Sequence, residues 1–74
     1  MLRRTVYASN LRPADSYTVV CDGNKRMFPA SEKRAIGKWV MEIWDNSLIP
    51  APAYIYANID WDCDNILLFK YELV

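Results

Sequence analysis

Apolar residues recur at helical spacing in one stretch of the chain and at alternating spacing through much of the rest. Over residues 31–46, SEKRAIGKWVMEIWDN, Ile36, Trp39, Val40, Ile43 and Trp44 fall at i, i+3, i+4, i+7 and i+8, one stripe of an amphipathic α-helix. Ser31 is the expected N-cap, its hydroxyl accepting from a first-turn amide. Glu32 suits the positive end of the helix dipole. Arg34 stands where a capping box would place Glu, so that box is absent. Gly37 weakens the helix by about 1 kcal/mol relative to Ala, and close approach of the helix backbone to a sheet is the expected compensation. Lys33, Arg34, Lys38, Glu42 and Asp45 take the wetter sides, Asn46-Ser47 end the helix, and Pro50 and Pro52 stiffen the connection beyond it.

The other segments read as strands. Residues 4–9 alternate Val6 and Ala8 with Thr5, Tyr7 and Ser9, and residues 10–16 form a connection around Pro13 and Asp15. Residues 17–21, YTVVC, run into Asp22-Gly23-Asn24, a hairpin signal, because glycine accepts positive φ. Residues 25–28 return, and Pro29 ends the strand. Residues 53–61, AYIYANIDW, hold the clearest alternation: Ile55, Ala57, Ile59 and Trp61 on one face, Tyr54, Tyr56, Asn58 and Asp60 on the other. After a turn at 62–65, residues 66–73 set Leu67, Phe69, Tyr71 and Leu73 against Ile66, Leu68, Lys70 and Glu72, and the short connection makes the pair an antiparallel hairpin.

The order β-β-β-α-β-β predicts an α+β fold: a small two-layer domain with an antiparallel β-sheet and one amphipathic helix packed on one face. Residues 1–74 make a single domain without repeats or linkers. A chain of this size buries only about 60% of its unfolded surface, but an apolar fraction of 53% with 14% aromatics supports a core. No apolar run reaches the roughly 18 residues of a membrane span. MLRRTVYAS offers no apolar signal core, so a soluble cytoplasmic protein is expected. Cys21 and Cys63 are expected as reduced thiols packed as small hydrophobes, since a disulfide-stapled secreted domain carries more bridges.

Charge refines the picture. The net charge is zero, yet residues 1–40 hold eight basic against three acidic residues and residues 41–74 one against six, so separate positive and negative surfaces are one outcome of folding. Asp60, Asp62 and Asp64 resemble the start of a calcium loop, but Asn65 stands where glycine is needed and Tyr71 where a bidentate Glu is needed. No metal and no cofactor is expected. The chain lacks histidine, a phosphate-binding glycine loop and a nucleophile with a base nearby in sequence, which argues against an enzyme.

Recognition is the remaining class. Tyr54 and Tyr56, joined by Tyr7, Tyr17 or Tyr71 across strands, would form aromatic anchors on the sheet face away from the helix. With Asp60, Asp62, Asp64 and Glu72 they are the expected contacts to a larger protein or protein complex, the acids standing in for nucleic-acid phosphates toward a basic groove. Small chains starting at Met are common in phages and mobile elements, whose products often inhibit host assemblies, defence complexes such as CRISPR effectors included. That class is the expectation from size. The alternative is a small nucleic-acid-binding regulator contacting phosphates through Lys25, Arg26, Lys33, Arg34 and Lys38. A homodimer through an exposed strand edge is a third arrangement. The helix stripe itself is expected to be core.

Overall fold

A computed structural model describes residues 1–7, 14–59 and 64–73. Among these residues, five strands and one α-helix are arranged in the order β1 (Leu2–Val6), β2 (Ser16–Cys21), β3 (Asn24–Pro29), a 3-10 turn (Ala30–Glu32), α1 (Ala35–Asp45), β4 (Ala53–Ile59) and β5 (Asp64–Leu73). All pairings are antiparallel, and the strands lie side by side as β1-β5-β4-β2-β3. The result is the two-layer α+β architecture that the apolar pattern predicts, with β1 and β3 as its edges.

The Asp22-Gly23 hairpin forms where expected. Both residues have positive φ, 51° and 78°, and they join Cys21 to its partner Asn24 as a two-residue loop. This geometry matches the right-handed twist of the two strands.

The helix departs from expectation at its start. Pro29 holds φ −63° and ψ 155°, and the chain then tightens into the 3-10 turn, with Lys33 N–H donating to the Ala30 carbonyl at 3.4 Å. Ser31 therefore lies inside that turn and caps nothing; the N-cap position is Arg34, without a side-chain cap. Glu32 likewise precedes α1 instead of occupying its first turn. Gly37 is a second correction: a Cβ built there would meet no atom of the described residues within 4 Å, so no close approach to the described sheet requires glycine.

The core lies between α1 and one sheet face. Ile36, Val40 and Trp44 are buried, while Trp39 and Ile43 are half-buried on the flank toward β3. Beneath them lie Tyr17, Val19 and Cys21 from β2, Phe28 from β3 and Ala53, Ile55 and Ala57 from β4. The two alanines on a central strand make room for the large helix side chains, an alternation of small and large that fills the layer. Trp44 Nε1 donates to the Ala51 carbonyl at 2.7 Å, which fastens the helix to the approach of β4. Trp39 meets Phe28 edge-on at 5.8 Å.

A β-bulge alters the expected alternation of β5. Ile55 faces Phe69 and Tyr56 faces Leu67, so Leu68 is the extra residue. Leu68 and Phe69 are both buried, whereas a regular strand would bury only one of two neighbours. The bulge also moves Leu67 to the side of Tyr56, opposite Phe69, Tyr71 and Leu73.

Replacing Trp44 by Ala should lower stability by about 3–5 kcal/mol, with an added loss of the bond to Ala51, and should unfold the domain in mild denaturant. Trp39→Ala, at a half-buried position, should do less. Gly37→Ala should raise stability by up to about 1 kcal/mol. Urea midpoints of the three variants check the ranking.

Candidate interaction surfaces

The strand registers sort the described strand side chains to one of two faces. On the face away from α1, one row across the sheet runs Thr5, Lys70, Tyr54, Val20, Lys25 and the next runs Leu67, Tyr56, Thr18, Met27. No helix covers this face among the described residues. Tyr54 and Tyr56 are half-buried and lie on it as the alternation predicts. Of the three tyrosines considered as neighbours, only Tyr7 joins them, carried there by the β1–β5 register, with its N–H donating to the Leu68 carbonyl at 2.8 Å. Tyr17 is buried on the helix side under the Lys33 ammonium, 5.6 Å from its ring centre, and Tyr71 packs edge-on against Phe69 at 5.1 Å.

Polar groups hold this face in place. Asn58 Nδ2 donates to Ser16 Oγ at 3.0 Å and to Thr18 Oγ1 at 2.9 Å, tying β4 to β2 beside Tyr56. That bond satisfies Thr18, a buried polar residue. Toward β1, Arg3 reaches Glu72 at 2.8 Å and Lys70 reaches it at 3.4 Å. The hydrogen bond from Arg3 holds the Glu72 carboxyl below its ordinary value of 4.5. The neighbouring Tyr7 hydroxyl, and then Glu72, raise the Lys70 ammonium above its ordinary 10.5, against some desolvation.

The expected acidic contacts are thus only partly placed. Glu72 lies on the tyrosine face but is engaged by two cations. Asp64 opens β5 opposite Ile59, and Asp60 and Asp62 lie outside the described residues, as does Cys63. The five cations of the nucleic-acid reading do not share a surface. Lys25 is on the tyrosine face, the Arg26 guanidinium covers the Phe28 ring at 4.6 Å, and Lys33 covers Tyr17. Arg34 borders a groove of about 280 Å³ beside Ile36, Gly37, Phe69 and Tyr71, and Lys38 points to solvent.

The flanks of α1 were not legible as sites. Toward β3, a polar hollow of about 350 Å³ lies between the hairpin turn and the end of the helix. Ser47 Oγ spans it, 3.0 Å from Asp22 Oδ2 and 2.9 Å from the Ile43 carbonyl. Toward β1, an apolar groove of about 160 Å³ is lined by Leu2, Gly37, Val40, Met41, Trp44 and Tyr71. Helical spacing identifies the buried stripe, but which flank stays open depends on strand order.

Cys21 is a free, buried thiol whose Sγ faces the Ala51 carbonyl at 3.7 Å. Burial, then the neighbouring Asp22 charge, pushes the thiol above its ordinary 9.0, against a lowering contact with Trp44. No group of three or more His, Cys, Asp or Glu side chains placed to hold a metal occurs among the described residues, and no helix there is long and apolar enough to cross a membrane. No family model matches the chain, and neither curated proteins nor solved structures show a match.

These geometries give two expected outcomes. The raised, buried Cys21 thiol should react with a thiol probe at neutral pH only as fast as the domain opens, so native labelling of Cys21, read by peptide mass, should lag far behind labelling in denaturant. Glu72 titrates lower in the folded chain than in the unfolded one. Its contribution to stability is therefore present above the ordinary carboxyl value of 4.5 and is lost as pH falls through its lower folded value. Glu72→Gln should flatten that part of the acid unfolding curve.

Proposed function

We propose that this chain is a non-enzymatic protein-interaction module that docks on a larger protein or protein complex through the tyrosine face of its sheet, in the cytoplasm. The sheet face that no helix covers among the described residues carries this reading. An antiparallel sheet can leave one face to water, and such a face is normally polar. Here it presents Tyr7, Tyr54 and Tyr56 with Leu67 and Met27, and Tyr7 and Met27 are 51% and 65% exposed. Tyrosines are favoured as anchors because they bring large contact area at low conformational cost. The Asn58 bonds to Ser16 and Thr18 support the reading, since a rigid platform loses little freedom on docking. The free Cys21 thiol suits a reducing compartment. An inhibitor of a host assembly, carried by a phage or mobile element and aimed for example at a CRISPR effector, would act through a face of this kind. The nucleic-acid reading has less support, because Lys25 lies on the opposite sheet face from Arg26 and Lys33, whose charges rest over the neighbouring rings of Phe28 and Tyr17.

Affinity capture from host-cell lysate tests the proposal. Wild-type protein should retain a partner in stoichiometric amount, and a Tyr54→Ser/Tyr56→Ser variant with an unchanged far-ultraviolet spectrum should lose it. Absence of any stoichiometric partner, or equal capture by the variant, would count against docking through this face.

A further inference from the structure

Helix α1 carries its charges against its own dipole. Lys33 and Arg34 immediately precede it and Lys38 lies one turn in, whereas Glu42 and Asp45 lie at its end; no acid occupies the first turn and no base the last. Each arrangement opposes the partial charge of the nearby helix end. Among the described residues, neither Arg34 nor Asp45 forms an ion pair that would offset this.

The same helix keeps a glycine where the fold does not require one. Arg34, Gly37, Met41 and Asp45 are spaced by three, four and four residues, which puts them on one flank, the side toward β5 and β1. Arg34 retains helical φ and ψ, so it continues that line. No described residue fills the space above Gly37, and beside it lies the apolar groove of about 160 Å³, comparable to an engineered cavity of about 150 Å³ that admits benzene. Met41, next to this hollow, is half exposed.

This flank is complementary to itself when reversed. Set antiparallel to a copy, with the midpoint between Gly37 and Met41, each Met41 enters the hollow over the other Gly37. Each Arg34 then comes beside the other Asp45. The electropositive, basic end of each helix also lies along the electronegative, acidic end of its partner. We infer that a second copy of this chain covers this flank, in a twofold pair of antiparallel α1 helices packed at the usual interaxial distance of about 8–10 Å. Edge-to-edge pairing fits less well, because β1 and β3 carry Arg3, Arg4, Lys25 and Arg26, and charged edges discourage strand addition. The tyrosine face takes no part, so the helix pair is independent of the proposed docking role.

Sedimentation of the full chain over a concentration series at low salt tests it. Wild type should show a reversible monomer–dimer equilibrium. Gly37→Leu, at an exposed position with free space, should keep the fold and weaken the dimer about 100-fold. Arg34→Asp and Asp45→Arg should each weaken it about tenfold, and the double variant should recover wild-type association. Both charge changes favour the helix dipole, so a loss of association in either is not a loss of helix. A wild type that stays monomeric throughout, a dimer indifferent to Gly37→Leu, or a double variant no better than the singles would overturn the inference.

Discussion

One helix is narrower than the sheet it covers, and most of the structure depends on that mismatch. An α-helix with side chains is about 10 Å wide, while five strands set the outer two about 19 Å apart. Large side chains under the helix are sealed by Ile36, Val40 and Trp44. Those near the edges need other cover. Phe28, toward β3, is closed by the edge of Trp39 and the guanidinium of Arg26; Phe69, toward β1, is closed by Tyr71 and the guanidinium of Arg4 at 4.6 Å. Arginine suits the task, since its stem covers apolar surface and its planar head rests on a ring while staying wet. The same residues place charge on both exposed strand edges.

The bulge at Leu68 serves the same mismatch from the sheet side. It buries two consecutive residues of β5 where the helix layer is thin. Beyond it, Lys70 and Glu72 lie on the opposite face, where Arg3 joins them. Edge strand β1 is therefore held on both faces, by the Arg3–Glu72 pair on one and by Arg4 over Phe69 on the other. Exposed ion pairs of this kind each contribute little, so β1 depends mainly on its backbone ladder to β5.

Period and turn chemistry make much of this legible in the sequence. The helical stripe, the Asp22-Gly23 hairpin and the strict alternation at 53–59 each reflect a local rule, and each is found in place. Features that depend on pairing were not legible. Strand order decides that β5 lies between β1 and β4, and so which flank of α1 stays open. The bulge hides in a run of apolar residues, ILLF, in which either parity reads as core. Ser31 failed as a cap because Pro29 ends an extended strand so close to the helix that a 3-10 turn fills the gap. For the surfaces, alternation places Tyr54 and Tyr56, but it cannot sort Tyr7 from Tyr17 and Tyr71, because they sit on different strands whose faces are related only by register.

The division of tyrosines between the two faces gives the most direct check on this arrangement. Limited nitration of the native protein, read residue by residue by mass spectrometry, should modify Tyr7 first and Tyr54 and Tyr56 next, and should leave Tyr17 protected beneath the helix layer. Protection of Tyr54 and Tyr56 together with early modification of Tyr17 would mean that the helix covers the other face of the sheet, and would contradict the structure described.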